Sequence, residues 1–236
     1  MRFLVDKKLW LVPAIVLLLL TVLALRAKPA PAVIIWAWER PEKLDFIDPD
    51  RVGVAFLAKT LRLHEDSVVS RPRLQPLELA PNTKLIAVVR IESDHPTLSS
   101  VQLQKAADEI AKLSAISVVQ IDFDATVSER DFYRRLLEEV RRRLPASTKL
   151  SITALASWCA GDNWLADLPI DEAVPMLFRM GVDKGLRHFD AAICRNSAGV
   201  STDELITPPA VDRLYIFNPK PWSRDSLNSA LEAYKK

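Results

Sequence analysis

Residues 118–130 read VVQIDFDATVSER, and this stretch constrains the fold more than any other. Four apolar or neutral residues lead into two carboxylates, Asp122 and Asp124. Residues two apart on a strand project from one face, so both carboxylates would stand side by side at a strand end. Ser128 and Asp131 fit a capping box that opens a helix. Phe132, Leu136, Val140 and Leu144 then recur every four residues as a core-facing stripe, and Pro145 follows. A strand that ends in acids and turns into a helix is how α/β folds present catalytic carboxylates. The competing reading, in which the acids only bind backbone amides of the turn, stays open at this point.

Other segments repeat the theme. β-rich runs occur at 33–38, 52–57, 84–91, 117–123, 149–155, 174–178, 191–195 and 213–217. Amphipathic helical patterns occupy 99–114, where Ser99 and Gln102 form a second capping box, 128–144 and 223–234. Strands alternating with helices imply a parallel sheet, and eight of them predict a trimmed (β/α)8 TIM-like barrel over residues 33–236. That span is small for a fold that typically takes about 250 residues. The connections after the first, fifth, sixth and seventh strands have room for only a turn or two of helix. Residues 60–65 and 67–79 alternate like a β-hairpin. A doubly wound open sheet is the alternative.

The N-terminus reads differently. Residues 9–25 are an almost unbroken apolar run behind Arg2, Lys7 and Lys8. Residues 1–27 are therefore expected to be a signal anchor or signal peptide, and the anchor is preferred because Pro29 and Pro31 crowd the cleavage position. A proline-rich linker covers 28–32. The expected location is the cell inner membrane with the main domain periplasmic, or the periplasm after cleavage. In an oxidising compartment Cys159 and Cys194 could pair.

Composition narrows the function. A net charge of +2 argues against nucleic acid as a partner. The five glycines stand apart, so no phosphate loop is present and neither a nucleotide nor another cofactor is expected. His64, His95 and His188 are scattered, which predicts no metal site, although His95 could bind one with Glu92 or Asp94. No Gly-x-Ser-x-Gly elbow is present.

A barrel would gather strand ends on one face, where active sites form. The carboxylates expected there are Asp122, Asp124, Glu92 and Glu39, with Trp36, Trp38 and Trp158 as flat surfaces for sugar rings and Arg90, Arg179 and Arg195 to hold hydroxyls or carboxylates. Glycoside hydrolysis needs one carboxyl as proton donor and usually a second as base or nucleophile. In this reading Arg90 arrives beside Asp122 and keeps it ionised. Asp124 then holds the proton and acts as acid/base, and Glu92 or Glu39 is the second carboxylate. Packing for each tryptophan and ion pairing for each arginine are the alternatives.

The blocks WAWERPE (36–42), GVAFL (53–57), RPRLQP (71–76), QIDFDA (120–125), SITALASWC (151–159), DEAVPMLFRMG (171–181) and GVSTDE (199–204) resemble those of a bacterial family of exported proteins of unknown function. Its architecture is similar to the TIM-barrel glycoside hydrolases. Family-18 chitinases carry Asp-x-x-Asp-x-Asp-x-Glu at the end of the fourth strand, with the Glu as donor. Asp122 and Asp124 match two of these acids, and Thr126 stands at the donor position. The resemblance implies an exported carbohydrate-active protein, a glycoside hydrolase acting on envelope or exopolysaccharide glycans. Its alternative is a non-catalytic glycan-binding or envelope-assembly module.

The apolar run at 9–25 carries no polar face to pack on a barrel. Deleting residues 1–27 should therefore yield a soluble, folded domain. Aggregation of the truncated protein, with full-length protein folded in detergent, would contradict that separation.

Overall fold

Val33–Ala37 (β1) pairs on both sides, with Arg213–Phe217 (β11) and with Val52–His64 (β3), and both pairings are parallel. This double pairing closes the sheet. The computed structural model describes residues 31–94, 98–181, 188–204 and 206–234; the N-terminal apolar run and His95 lie outside the described residues. Between β3 and β11 the sheet continues through Leu85–Ser93 (β6), Val118–Asp122 (β7), Lys149–Leu155 (β8), Glu172–Met176 (β9) and Ser197–Ser201 (β10), each parallel to its neighbour. The result is an eight-stranded closed parallel barrel. Ser67–Pro72 (β4) folds back antiparallel on the far half of β3 as the expected hairpin, and Glu42–Leu44 (β2) pairs with Leu77–Leu79 (β5) in a small separate ladder.

The outer faces of the strands are apolar and lie under helices. Ser100–Ala111 (α1) covers them with Leu103, Ala106, Ala107 and Ile110, and Arg130–Arg143 (α2) with Phe132, Leu136, Leu137 and Val140. A single turn, Ala156–Cys159 (α3), follows β8, and Arg224–Ala233 (α4) follows β11. Ser99 caps α1 in the expected box with Gln102. The box expected at Ser128 lies two residues earlier: Glu129 accepts the Thr126 N–H at 2.7 Å, ahead of a 3-10 turn at Val127–Glu129.

One irregularity redirects a whole strand. The pairing of β3 with β6 shifts between Leu57 and Lys59, so Ala58 is an extra residue. An extra residue reverses which side chains face which way. Ala55 and Leu57 belong to the barrel interior, but beyond the shift Leu61 and Leu63 are fully buried in the outer core. Thr60 and Arg62 take the opposite face and lie beside Arg90 and Glu92 of β6.

The seventh strand was expected at 191–195. The structure puts a 3-10 turn at Ala192–Cys194 and the strand at Ser197–Ser201. The physical reason is space. An added Cβ at Gly199 would meet Met176 Sδ at 2.9 Å and Trp36 Cη2 at 3.0 Å. The Trp36 indole fills the barrel axis there, so β10 carries small residues and lacks the β-branched signature of a strand. Cys194 is instead bonded to Cys159, with Cα atoms 5.9 Å apart. The sixth strand likewise begins at Glu172, two residues before the expected 174, because an acid faces inward.

Polar groups bridge the lower interior. Trp36 Nε1 donates to Gln120 (3.1 Å), Gln120 donates to Ser151 (3.1 Å), and Ser151 donates to Glu172 (2.9 Å). Tyr215 (2.7 Å), Ser197 (2.5 Å) and Arg213 (3.1 Å) complete the shell of Glu172. Ile34, Ala55, Ile86, Val88 and Val174 pack around this chain.

Replacing Gly199 with Ala should lower stability by about 1–3 kcal/mol, because a methyl group meets the fixed Trp36 ring and the strand backbone cannot retreat. Urea unfolding measures it. An unchanged midpoint would show that the indole can move aside.

Candidate functional site

The carboxyl ends of the strands open on a mouth whose walls differ in character. One wall is aromatic. Phe178 and Phe217 stack with centroids 5.7 Å apart and planes 3° from parallel, and Trp38 meets Phe217 edge-on at 6.4 Å. All three rings are half-buried. Arg90 lies over Trp38 at 5.9 Å and Arg179 over Phe217 at 5.5 Å, distances at which a guanidinium is drawn to the ring face. Arg179 has φ 54°, a left-handed backbone, and its N–H donates to both oxygens of Glu204 at 3.2 and 3.1 Å. Met176 is half-buried and Leu155, at the end of β8, is 38% exposed, so apolar surface reaches solvent in this region.

The other wall is acidic. Arg90, Glu92, Ser93, Asp122 and Asp124 line an open cleft of ≈ 280 Å³ between the ends of β6 and β7. Arg90 and Asp122 are register partners. The ion pair of Arg90, however, is with Glu92 (Nε to Oε1, 3.4 Å), and Arg62 also reaches Glu92 at 3.2 Å. Asp122 instead accepts the Thr153 hydroxyl at 2.7 Å. The contacts therefore differ from the expected pairing of Arg90 with Asp122. Glu92 lies further along the same strand face as Arg90, and both side chains are half-buried, so they keep part of their hydration when they pair.

The proton order also reverses. Burial pushes Asp122 up to about 6, and the Asp124 charge adds to the shift, while the Thr153 hydroxyl and Arg90 oppose it. Asp124 is raised too, by burial against the pull of Arg90. Its side of the cleft is exposed, whereas Asp122 is half-buried with protein on most sides. Asp122, the deeper acid, is the one that keeps its proton towards neutral pH. That role was expected of Asp124 on the premise that Arg90 pairs with Asp122.

The remaining expected residues fall in several places. Trp38 and Arg179 are at the mouth. Trp36 is 2% exposed inside the barrel, and Trp158 is 2% exposed in the outer core, edge-on to Trp164 at 4.8 Å, so both are packing residues. Arg195 ties a loop by donating to the carbonyls of Phe189 and Asp190. Glu39 lines a different cavity of ≈ 210 Å³ with Lys59, Arg71 and Arg73, and accepts from Thr60 at 3.4 Å. His64 and His188 sit 3.0 and 3.3 Å from Asp94 and Asp190. Among the described residues no group of three His, Cys, Asp or Glu could hold a metal ion.

Two positioning residues escaped the sequence argument. Arg73 donates to the carbonyls of Ala37, Trp38, Arg40 and Gln75, and so clamps the end of β1. Arg40 bridges Glu42 at 2.7 Å to the carbonyls of Asn218 and Lys220. Together they fix Trp38 against Phe217. The RPRLQP block was visible, but nothing in it names carbonyls as partners.

This geometry can be set beside known proteins. Residues 82–193 match the family model of a domain of unknown function, DUF3142. The DUF3142 match runs across β6, β7, β8 and β9 and contains the acidic wall, and it bears out the resemblance to a family with no assigned function. No curated protein matches the chain. Solved structures that are similar include two enzymes or enzyme domains of spores. One is the spore cortex-lytic enzyme SleL of Bacillus cereus, at 16% identity and TM-score 0.43, covering 63% of this chain and 42% of that one. The other is the chitinase domain of the spore coat protein CotE from Clostridium difficile, at 12% identity and TM-score 0.46, covering 82% and 66%. The chain thus spans less than two thirds of the length of either.

The raised pKa of Asp122 has a stability consequence. The folded protein holds this proton up to about pH 6, while the unfolded chain releases it near its ordinary value of 3.8. Stability is then lost as pH rises between these values. Asp122→Asn, which keeps an acceptor for Thr153, should stabilise the protein by about 2 kcal/mol at pH 7.5 and leave it unchanged at pH 3.5. Melting curves at the two pH values decide; an equal loss at both would mean that the carboxylate is structural.

Proposed function

We propose that this domain binds a glycan across the barrel mouth and hydrolyses a glycosidic bond at the Asp122–Asp124 pair. The observation that carries the reading is one carboxyl kept protonated to about pH 6 beside a second on the same cleft, facing a wall of half-buried aromatic rings. Sugar rings stack on such faces, and hydroxyls suit the guanidiniums of Arg90 and Arg179. Asp122 would pass its proton to the leaving glycosidic oxygen as the bond to the anomeric carbon breaks. Asp124, more open to solvent, would in its ionised form support the positive charge that develops and take the proton of the attacking water. Envelope or exopolysaccharide is the substrate class, on the inference that residues 1–27 export the domain and hold it at the inner membrane, with 28–32 as spacer. The Cys159–Cys194 bond supports an oxidising compartment.

A second reading, a glycan-binding or envelope-assembly module without turnover, has one observation in its favour. At the position where family-18 chitinases carry their donor, the Thr126 hydroxyl is committed to Glu129 at 2.8 Å, and Glu129 is itself buried beneath the Ser93 hydroxyl.

Incubating the domain with a panel of bacterial polysaccharides separates the two. The first reading predicts new reducing ends from the wild type, and a loss of at least about 100-fold in Asp122→Asn and in Asp124→Asn. Binding without turnover in all three proteins supports the module, and turnover unaffected by either substitution would sink the assignment of the pair.

A further inference from the structure

Three buried side-chain polar atoms lack a hydrogen-bond partner among the described residues: Arg130 Nε, Tyr133 Oη and Trp164 Nε1. They belong to one place. Arg130 and Tyr133 are three apart on α2, and so share a helix face. The Arg130 guanidinium lies 5.5 Å over the Trp164 ring, and the Tyr133 and Trp164 rings are 5.6 Å apart. Phe123, which separates Asp122 from Asp124 in the chain, packs edge-on against Tyr133 at 5.1 Å. The orphaned atoms therefore sit directly behind the acidic wall.

Their chemistry is complementary to a single small partner. Arg130 Nε and Trp164 Nε1 can only donate, whereas the Tyr133 hydroxyl can donate or accept. The charge of Arg130 is already met by Asp162 at 2.7 Å, so no anion is called for. Tyr133 is fully buried, and burial, with the charges of Asp122 and Asp124, keeps its hydroxyl protonated and able to donate. Leaving three such atoms dry carries the full desolvation penalty of each, and internal water typically makes about three hydrogen bonds to polar groups of this kind.

We propose that this corner is an internal hydration site: a water held by Arg130, Tyr133 and Trp164 links the Tyr133 hydroxyl to the Asp122–Asp124 pair and makes Tyr133 a positioning residue for those carboxylates. The link supplies a donor to the ionised form from the side opposite the cleft. The other groups facing Asp122 are Arg90 from β6, Thr153 from β8 and Asp124 on its own segment; Glu92 lines the same cleft. The site does not depend on the glycan reading, because its readout needs no substrate.

The test is a titration of the Asp carboxyl carbons by NMR in the 28–236 domain, or in the detergent-solubilised full chain if that domain does not fold, comparing wild type with Tyr133→Phe. Removing the donor should raise the apparent pKa of Asp122 by about half a unit to one unit. An unmoved Asp122 titration overturns the proposal, and a higher melting temperature alongside it would show that the hydroxyl was simply unpaired. Should Tyr133→Phe fail to fold, Trp164→Phe removes a second donor to the same water and carries the test with the same expected direction and the same overturning result.

Discussion

A carboxylate inside a barrel has to be answered from all sides, and the interior of this one is arranged around Glu172. Removing one partner of an enclosed ion pair leaves a charge without compensation, at a cost that grows with burial. Here Arg213 supplies the charge, and Ser151, Ser197 and Tyr215 supply the remaining donors. These four partners come from three strands: Arg213 and Tyr215 from β11, Ser151 from β8 and Ser197 from β10. The shell of one acid therefore ties together four neighbouring strands, β8 to β11, and fixes their register. Gln120 and Trp36 carry the chain across to β7 and β1. With Trp36 set in this way, Gly199 has to be a glycine.

The mouth inherits its geometry from this floor. Above Gln120 on β7 comes Asp122, and above Trp36 on β1 comes Trp38, by the two-residue period of a strand. The polar row and the aromatic row of the interior thus continue upward as the acidic and aromatic walls of the cleft. The irregularity at Ala58 adds a further element by turning Thr60 and Arg62 toward the side of Arg90 and Glu92, while Leu61 and Leu63 go into the outer core. The unusual acidity at Asp122 follows from depth: the strand register carries it far enough into the barrel to lose water, and the arginine that could have compensated is engaged with Glu92.

Much of the architecture was legible in the sequence because alternation and helical stripes are local signals. The strand at 149–155, the hairpin, and the helices around Phe132 and Leu103 depend on neighbours a few residues away. The failures were those where a distant side chain decides. The β10 segment reads SAGVS because Trp36, more than 150 residues earlier, occupies the space a larger residue would need. The expected Ser128 cap gave way to Thr126 because Glu129 is also held by Ser93 of β6. At the site, Asp122, Asp124, Arg90 and Trp38 could be named from strand ends alone. Trp36 and Trp158 could not be told apart from ligand-facing rings, since sequence gives the face of a strand but not which end of a barrel is filled. The order in which the two acids hold protons depended on a single ion pair, which no local pattern encodes.

The central claim is that the two walls act on one ligand. A crystal structure of Asp122→Asn with a bound oligosaccharide tests it most directly. The account predicts a sugar ring against Trp38 and Phe217, with a glycosidic oxygen within hydrogen-bonding reach of residue 122 or Asp124. An oligosaccharide seated elsewhere, for instance in the cavity of Glu39 and Arg73, with the acidic cleft unengaged, would contradict it.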